Sequence, residues 1–254
     1  MNDVAITCDA RFVLGAEDHQ AVRIWDLKSC RLVNIALTGH LGKVTAVSTF
    51  PTDSQQAATC ATDRSIKLWK LDKGVSSRTI PFTSTAKRVR VVSDTGTLVS
   101  GHFDGRIRFW DARSKANKPS NDVDAHGGRE ICGIHCNITM NMIAAVGRDN
   151  SVSVIDTRKF SVLHKLSGNS FEADALCQPA ISPCGGLVAA GSKEGSIFVF
   201  DITTGKEAGS RPTIQKLRHT NKDQQDVSIV ACAWNPVGLP LATADRVGTV
   251  SFWT

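Results

Sequence analysis

Six short phrases recur along the chain: "VRIWD", "IKLWK", "IRFWD", "VSVID", "IFVFD" and "VSFWT". Their fourth residues are Trp25, Trp69, Trp110, Ile155, Phe200 and Trp253, spaced by 44, 41, 45, 45 and 53 residues. This period constrains the fold more than any single motif. A unit of about 40 to 45 residues cannot bury its apolar face alone and has to stack on its neighbours. Four short strands are legible within a period. In the second unit "KVTAVSTF" alternates, "AATCAT" is small and apolar, "DRS" makes a turn, and "IKLWKL" alternates again. In the third, Asp104-Gly105 is a two-residue hairpin signal. The helical period is sustained nowhere, so the expected fold is all-β, a β-propeller with six visible blade units. The wider last spacing comes from "AGSRPTIQKLRHTNKDQQDVS" (Ala208 to Ser228), read as a long loop with an irregular outer strand.

A chain of 254 residues suffices for one all-β domain, 1–254. No apolar run approaches the roughly 18 residues of a membrane span. The first twenty residues hold Asp3, Asp9, Glu17 and Asp18 and do not resemble a secretory signal, so a cytoplasmic address is expected. Eight scattered cysteines fit that address as reduced, mostly buried thiols. The cluster "HGGREICGIHC" (His126, Cys132, His135, Cys136) invites a zinc reading, but strand alternation turns His135 away from Cys132 and Cys136. Neither a metal nor a cofactor is expected. The net charge of +6 is mild, and "AKRVRVV" lacks the interleaved aromatics of a nucleic-acid groove. A weak preference for acidic partners is the most it supports.

The period and phrases resemble WD40 repeats, and that resemblance gives the polar residues an architectural role. In such a blade a His before the inner strand, a Ser or Thr on the second strand, a turn Asp and the third-strand Trp form one hydrogen-bonded chain. His40, Thr59, Asp63 and Trp69 fit it fully. The third unit supplies Ser100, Asp104 and Trp110 without a preceding His, and the fourth has His126 and Asp149 with Ile155 in place of Trp. No G-x-S-x-G elbow, phosphate-binding glycine loop, H-E-x-x-H or close carboxylate pair appears, so no enzymatic activity is expected.

Partner contacts are expected on the rim formed by the loops before the inner strands and the turns after the second strands. Thr62, Phe103, Arg148 and Lys193 precede those turns, and Lys43, Lys87, Arg88 and Glu130 lie near inner-strand starts. An aromatic among cations has the composition of a binding hot spot, which singles out Phe103.

"SGHFDGRIRFWDARS" narrows the resemblance, together with "TGHLGKV", "DRSIKLW", "VIDTR", "LVAAGSKEGSIFVFDITTGK", "ACAWNP" and "ADRVGTVSFW". In order along the chain, these are similar to the C-terminal propeller of the autophagy-related protein 16-like family. The resemblance implies a scaffold whose propeller recruits a lipid-conjugating assembly to chosen membranes or adaptors, including autophagosomal or endolysosomal ones. Membrane association would be indirect, and the conjugation machinery would be reached through other domains. It also implies seven blades, so either the six units close imperfectly or, as expected here, they are an incomplete propeller lacking one blade and the N-terminal coiled coil. Phe103 would be the ligand-facing phenylalanine, taking proteins or short peptides with aromatic and acidic residues. Glu130 stands where recruiting members carry a lysine and reverses the local charge. An alternative resemblance lies in "WDAR" and "IDTR". Asp111 with Arg113, and Asp156 with Arg158, resemble the adaptor-docking boxes of WD40 substrate receptors of cullin-type ubiquitin ligases, although each pair can also close across its own turn.

Overall fold

The computed structural model describes residues 1–92, 96–168, 170–203 and 227–254, together with the backbone of 213–218. Among them there is no helix, and 24 strands form six antiparallel sheets, each a propeller blade. Blade one comprises β1 (Asp3–Ile6), β2 (Phe12–Ala16) and β3 (Ala21–Asp26). Its outer edge is broken into β4 (Arg31–Leu32) and β5 (Leu37–Thr38), both paired with β3. Blade two runs β6 (Val44–Thr49), β7 (Gln56–Ala61), β8 (Ser65–Lys70) and β9 (Val75–Pro81). Blade three runs β10 (Ala86–Val91), β11 (Thr97–His102), β12 (Arg106–Asp111) and β13 (Asn121–Asp124). Blade four is β14 (Ile131–Asn137), β15 (Met142–Gly147), β16 (Ser151–Asp156) and β17 (Ser161–Leu166). Blade five is β18 (Ala180–Ile181), β19 (Leu187–Gly191), β20 (Ser196–Asp201) and β21 (Thr213–Arg218). Blade six has three strands among the described residues, β22 (Ile229–Asn235), β23 (Gly238–Asp245) and β24 (Val250–Trp253). Within the segment expected as a long loop, β21 is the outer strand of blade five. Residues 219–226, and 208–212 before the strand, lie outside the described residues.

The chain divides into two compact units: Met1–Phe103 with Ile107–Asp122, and Asp104–Arg106 with Val123–Thr254. In the first unit the blades pack face to face. Trp69 lies among Leu14, Val22 and Leu37 of blade one, while Ile66 and Leu68 turn the other way onto Val89, Leu98 and Trp110 of blade three. The middle strands are therefore buried on both faces, which explains why β7 reads as a small apolar run. In the second unit Phe171, Phe198 and Phe200 pack between blades four and five, with ring centroids 5.3 to 6.2 Å apart. Ile197 and Val199 pack on Ile229 and Leu241 of blade six.

Trp69, Trp110 and Phe200 are buried, but Trp25 is only half-buried. It belongs to the first blade of its unit, which no preceding sheet of that unit covers. Half of the cysteines, Cys60, Cys132, Cys177 and Cys232, are buried; Cys8, Cys30 and Cys184 are exposed. In blades two, three, four and six the inner strand slips register at its start. The slips fall between Val44 and Ala46, Ala86 and Arg88, Ile131 and Gly133, and Ile229 and Ala231. Each slip is a β-bulge, which re-aims the side chain of the extra residue.

Candidate functional site

The polar chain of blade two is complete, and its proton order follows from chemistry. An indole N–H only donates and a carboxylate only accepts. Trp69 Nε1 therefore donates to Thr59 Oγ1 at 2.7 Å, and the Thr59 hydroxyl donates to His40 Nε2 at 2.7 Å. His40 Nδ1–H then donates to Asp63 Oδ2 at 2.8 Å. The backbone N–H of Leu41 and both the backbone N–H and the hydroxyl of Ser65 also donate to the carboxylate. Burial pushes the His40 imidazole below its ordinary value, in keeping with one ring proton. Burial also raises the Asp63 carboxyl, but the hydrogen bonds from His40, Leu41 and Ser65 outweigh it and hold the group below its usual value. Gly42 is required beside this chain, because a Cβ there would overlap Thr62 Oγ1 and the Asp63 nitrogen.

Blade three builds the same order from a different position. Trp110 Nε1 donates to Ser100 Oγ at 2.7 Å, the Ser100 hydroxyl donates to His102 Nε2 at 2.7 Å, and His102 Nδ1–H donates to the Ser84 carbonyl at 2.8 Å. His102 lies two residues along the strand from Ser100, on the same face of β11, and supplies the imidazole absent before the inner strand. Sequence reasoning missed it, although the alternation in "SGHF" placed Ser100 and His102 together. Asp104 Oδ1 accepts the Arg106 N–H at 3.2 Å in the turn. In blade four, His126 Nδ1 meets Asp149 at 2.8 Å while Nε2 faces the Ala145 carbonyl at 3.2 Å, since no hydroxyl is present there. Blade six retains Trp253 Nε1 donating to Thr243 Oγ1 at 2.9 Å. Of the cluster that invited a zinc reading, His135 Nδ1 accepts the Ile181 N–H and Cys132 lies in the core between blades four and five.

The rim is built by a repeated backbone device. Seven residues before the Trp position, the N–H of Thr62, Phe103, Arg148 and Lys193 bonds the carbonyl of Lys43, Thr85, Glu130 and Glu172, respectively, at 2.8 to 3.0 Å. All four side chains of those donors are exposed. Arg246 occupies the same position in blade six, with its N–H on the Ser228 carbonyl at 3.0 Å. The irregular turn "ADRVG" had hidden it.

In the first unit the structure brings together Phe103 and Lys87. The Phe103 side chain is 51% exposed, and Lys87 Nζ stands 5.6 Å from its ring centroid, within cation–π range. Lys87 is the extra residue of the bulge between Ala86 and Arg88, which is why it reaches the rim. Lys43 is also exposed, 3.9 Å from Asp18. Arg88, expected beside them, is instead 2% exposed. It donates to the backbone carbonyls of Asn2 and Thr45, and so joins β10 to β6 and to the residue that precedes β1. Both Lys87 and Arg88 were expected on the rim; the bulge leaves Lys87 there and turns Arg88 inward. In the second unit Glu130 is half-buried, Lys193 is exposed, and Arg148 donates to the Ala173 carbonyl at 3.0 Å.

The two Asp-x-Arg boxes close on themselves. Asp111 Oδ1 accepts the Arg113 N–H at 2.8 Å and Asp156 Oδ1 accepts the Arg158 N–H at 2.7 Å. Each Arg side chain lies 3.4 to 3.7 Å from its own Asp. Both are capped turns between third and fourth strands.

Residues 30–70 and 77–111 match the WD domain, G-beta repeat family. Over 254 residues, 99% of the chain, the sequence is 35% identical to Autophagy-related protein 16 of Arabidopsis thaliana, of which 47% is covered. It is 31% identical to Protein tipD of Dictyostelium discoideum over 95% of this chain and 38% of that protein. Autophagic-related protein 16.2 of Caenorhabditis elegans is 28% identical over 94% of this chain and 43% of that protein. The chain thus spans less than half the length of each of these relatives. With its six blades, its WD repeats and this identity along nearly all of its length, the chain is a WD40-repeat propeller similar to part of autophagy-related protein 16.

Proposed function

We propose that the chain is a non-catalytic scaffold of autophagy, a recruiting module that directs attachment of a ubiquitin-like protein to lipid at autophagosomal or endolysosomal membranes. Its rim takes short peptides or adaptor segments that carry an aromatic and an acidic side chain. The observation that carries this reading is Phe103, held out of the core by its backbone bond to Thr85 and flanked by the Lys87 ammonium. An aromatic of the partner would stack on the Phe103 ring, and its carboxylate would pair with Lys87 or Lys43. In the second unit, Arg148 and Lys193 offer further cations at equivalent positions, and Glu130 disfavours acidic groups beside it. The closed Asp-x-Arg boxes add no support to the ligase alternative.

The test is titration of acidic-aromatic peptides against the wild type and Phe103→Ala. A hot-spot ring predicts a loss of about 2 kcal/mol, roughly thirtyfold in affinity, at an unchanged melting temperature. Added salt weakens the wild-type complex, because exposed pairs are screened. Equal affinities of the two proteins would remove Phe103 from the site and the reading with it.

A further inference from the structure

Cations dispersed along the sequence converge on the rim opposite Phe103 in the first unit. That rim is formed by the turns between third and fourth strands, alternating with the turns between first and second strands. Blade one contributes Lys28 and Arg31, blade two Lys70 and Lys73, and blade three Arg113, Lys115 and Lys118, and all seven side chains are exposed. The acids of these turns are largely committed to their own backbones. Asp26 accepts the N–H and hydroxyl of Ser29, and Asp111 accepts the N–H of Arg113. Counting every described turn on this rim, eight cations face five acids. Among the described residues Arg113 pairs with Asp111 and the eighth cation, Arg11, with Asp26, while Lys28, Arg31, Lys70, Lys73, Lys115 and Lys118 form no ion pair.

The three turns are fixed with respect to one another. Gly74 of blade two approaches Ile35 of blade one so closely that a Cβ would lie 2.6 Å from its Cγ2. Arg78 of β9 spends its guanidinium on the carbonyls of Asp111, Ala112 and Ala116, at 2.6 to 3.1 Å, and so ties the third turn to blade two. Aliphatic side chains stand among the cations: Leu27, Leu32 and Val75 are 41%, 54% and 50% exposed.

We propose that this rim binds the surface of an anionic phospholipid bilayer directly. Cations spread over three turns suit a surface of mobile headgroup charge, which needs no one-to-one register, and protruding aliphatics suit the headgroup–acyl boundary. In the first unit the three turns between third and fourth strands, all of them among the described residues, carry no aromatic residue on which a nucleobase would stack. Because the bilayer would meet the rim opposite Phe103, a peptide or adaptor could be held at the same time. The inference goes beyond the proposed peptide-binding role and does not depend on it.

The experiment is flotation of the full chain with vesicles of phosphatidylcholine alone or with about 30 mol% phosphatidylserine, at about 0.1 M salt. Three proteins are compared: the wild type, Lys28→Glu/Lys73→Glu/Lys115→Glu, and Lys43→Glu/Arg64→Glu/Lys87→Glu, which makes the same change of net charge on the opposite rim. Each cation near an anionic surface is worth roughly fivefold in partitioning, so the first triple variant should lose about a hundredfold or more. It should keep its melting temperature and its peptide affinity. The second should retain vesicle binding and lose peptide binding. Absence of wild-type binding to the phosphatidylserine vesicles would overturn the proposal. So would equal losses in the two triple variants, or retention of an RNA oligonucleotide or polyglutamate in place of vesicles. Failure of peptide binding alone would count against the Phe103 reading and leave this one standing.

Discussion

Thr59→Val isolates the polar chain of blade two from its packing. The substitution keeps the side-chain shape and the β-branch but removes the hydroxyl that accepts from Trp69 Nε1 and donates to His40 Nε2, both at 2.7 Å. All three residues are at most 2% exposed, so water cannot replace either bond. An orphaned buried polar group costs about 1–3 kcal/mol, and two are created at once. Relief from burying the hydroxyl itself offsets part of that, leaving a net loss of about 2–4 kcal/mol. For a chain of this size the loss lowers the melting temperature by about 5–12 °C. Urea denaturation gives the free energy, with Thr59→Ser as the variant that keeps the hydroxyl. A double-mutant cycle with Trp69→Phe, which deletes the indole N–H, sharpens the test. In the phenylalanine background only His40 is orphaned, so the cost of Thr59→Val should fall by about 1 kcal/mol or more. A loss under about 0.5 kcal/mol, or strict additivity in the cycle, would refute the account of blade two as held by this chain.

The same chain sets a pH dependence. His40 is held below its ordinary value of 6.5 by burial, so the unfolded state takes up the proton first. Its contribution is present above that value and is lost as pH falls below it; His40→Gln should flatten the stability profile from there down to the carboxylate range, where Asp63 contributes in the same direction. Thiol chemistry should divide the cysteines. Hydrogen bonds from Ser182 and the Gly186 N–H lower the exposed Cys184, so this residue should react first with a disulfide reagent in the native protein. Burial pushes Cys60 and Cys232 up to about 12, and these should label only on unfolding, which mass spectrometry after a timed quench would show.

Much of the fold was legible because the Trp position recurs at blade spacing and because Asp104-Gly105 is a hairpin turn, with Gly105 at a φ of 75°. Phe103 was legible too, since nothing in the repeat asks for an aromatic before that turn. What alternation could not convey was the bulge. A one-residue slip changes which side chains face inward, so Arg88, expected on the rim beside Lys87, lies in the interior while Lys87 keeps its rim position. His102 escaped because the expected imidazole was sought in a loop rather than on β11. The basic rim escaped because its charges lie in three turns separated by about one blade period each, and only the stacking of blades makes them neighbours.

The displaced histidine of blade three, set beside the aliphatic and phenylalanine seam of blades four and five, bears on how such a chain tolerates drift. The two stretches that match the WD repeat family end on the third strands of blades two and three, where a His–hydroxyl–Trp chain is intact. A hydrogen-bond chain admits few replacements, because each member must offer a donor or an acceptor at a fixed point. An aliphatic or aromatic seam accepts many, since swaps that conserve volume cost little. Blades held by packing can therefore diverge past recognition while keeping their geometry, and a repeat count taken from the polar signature alone would have stopped short of the six blades that are built.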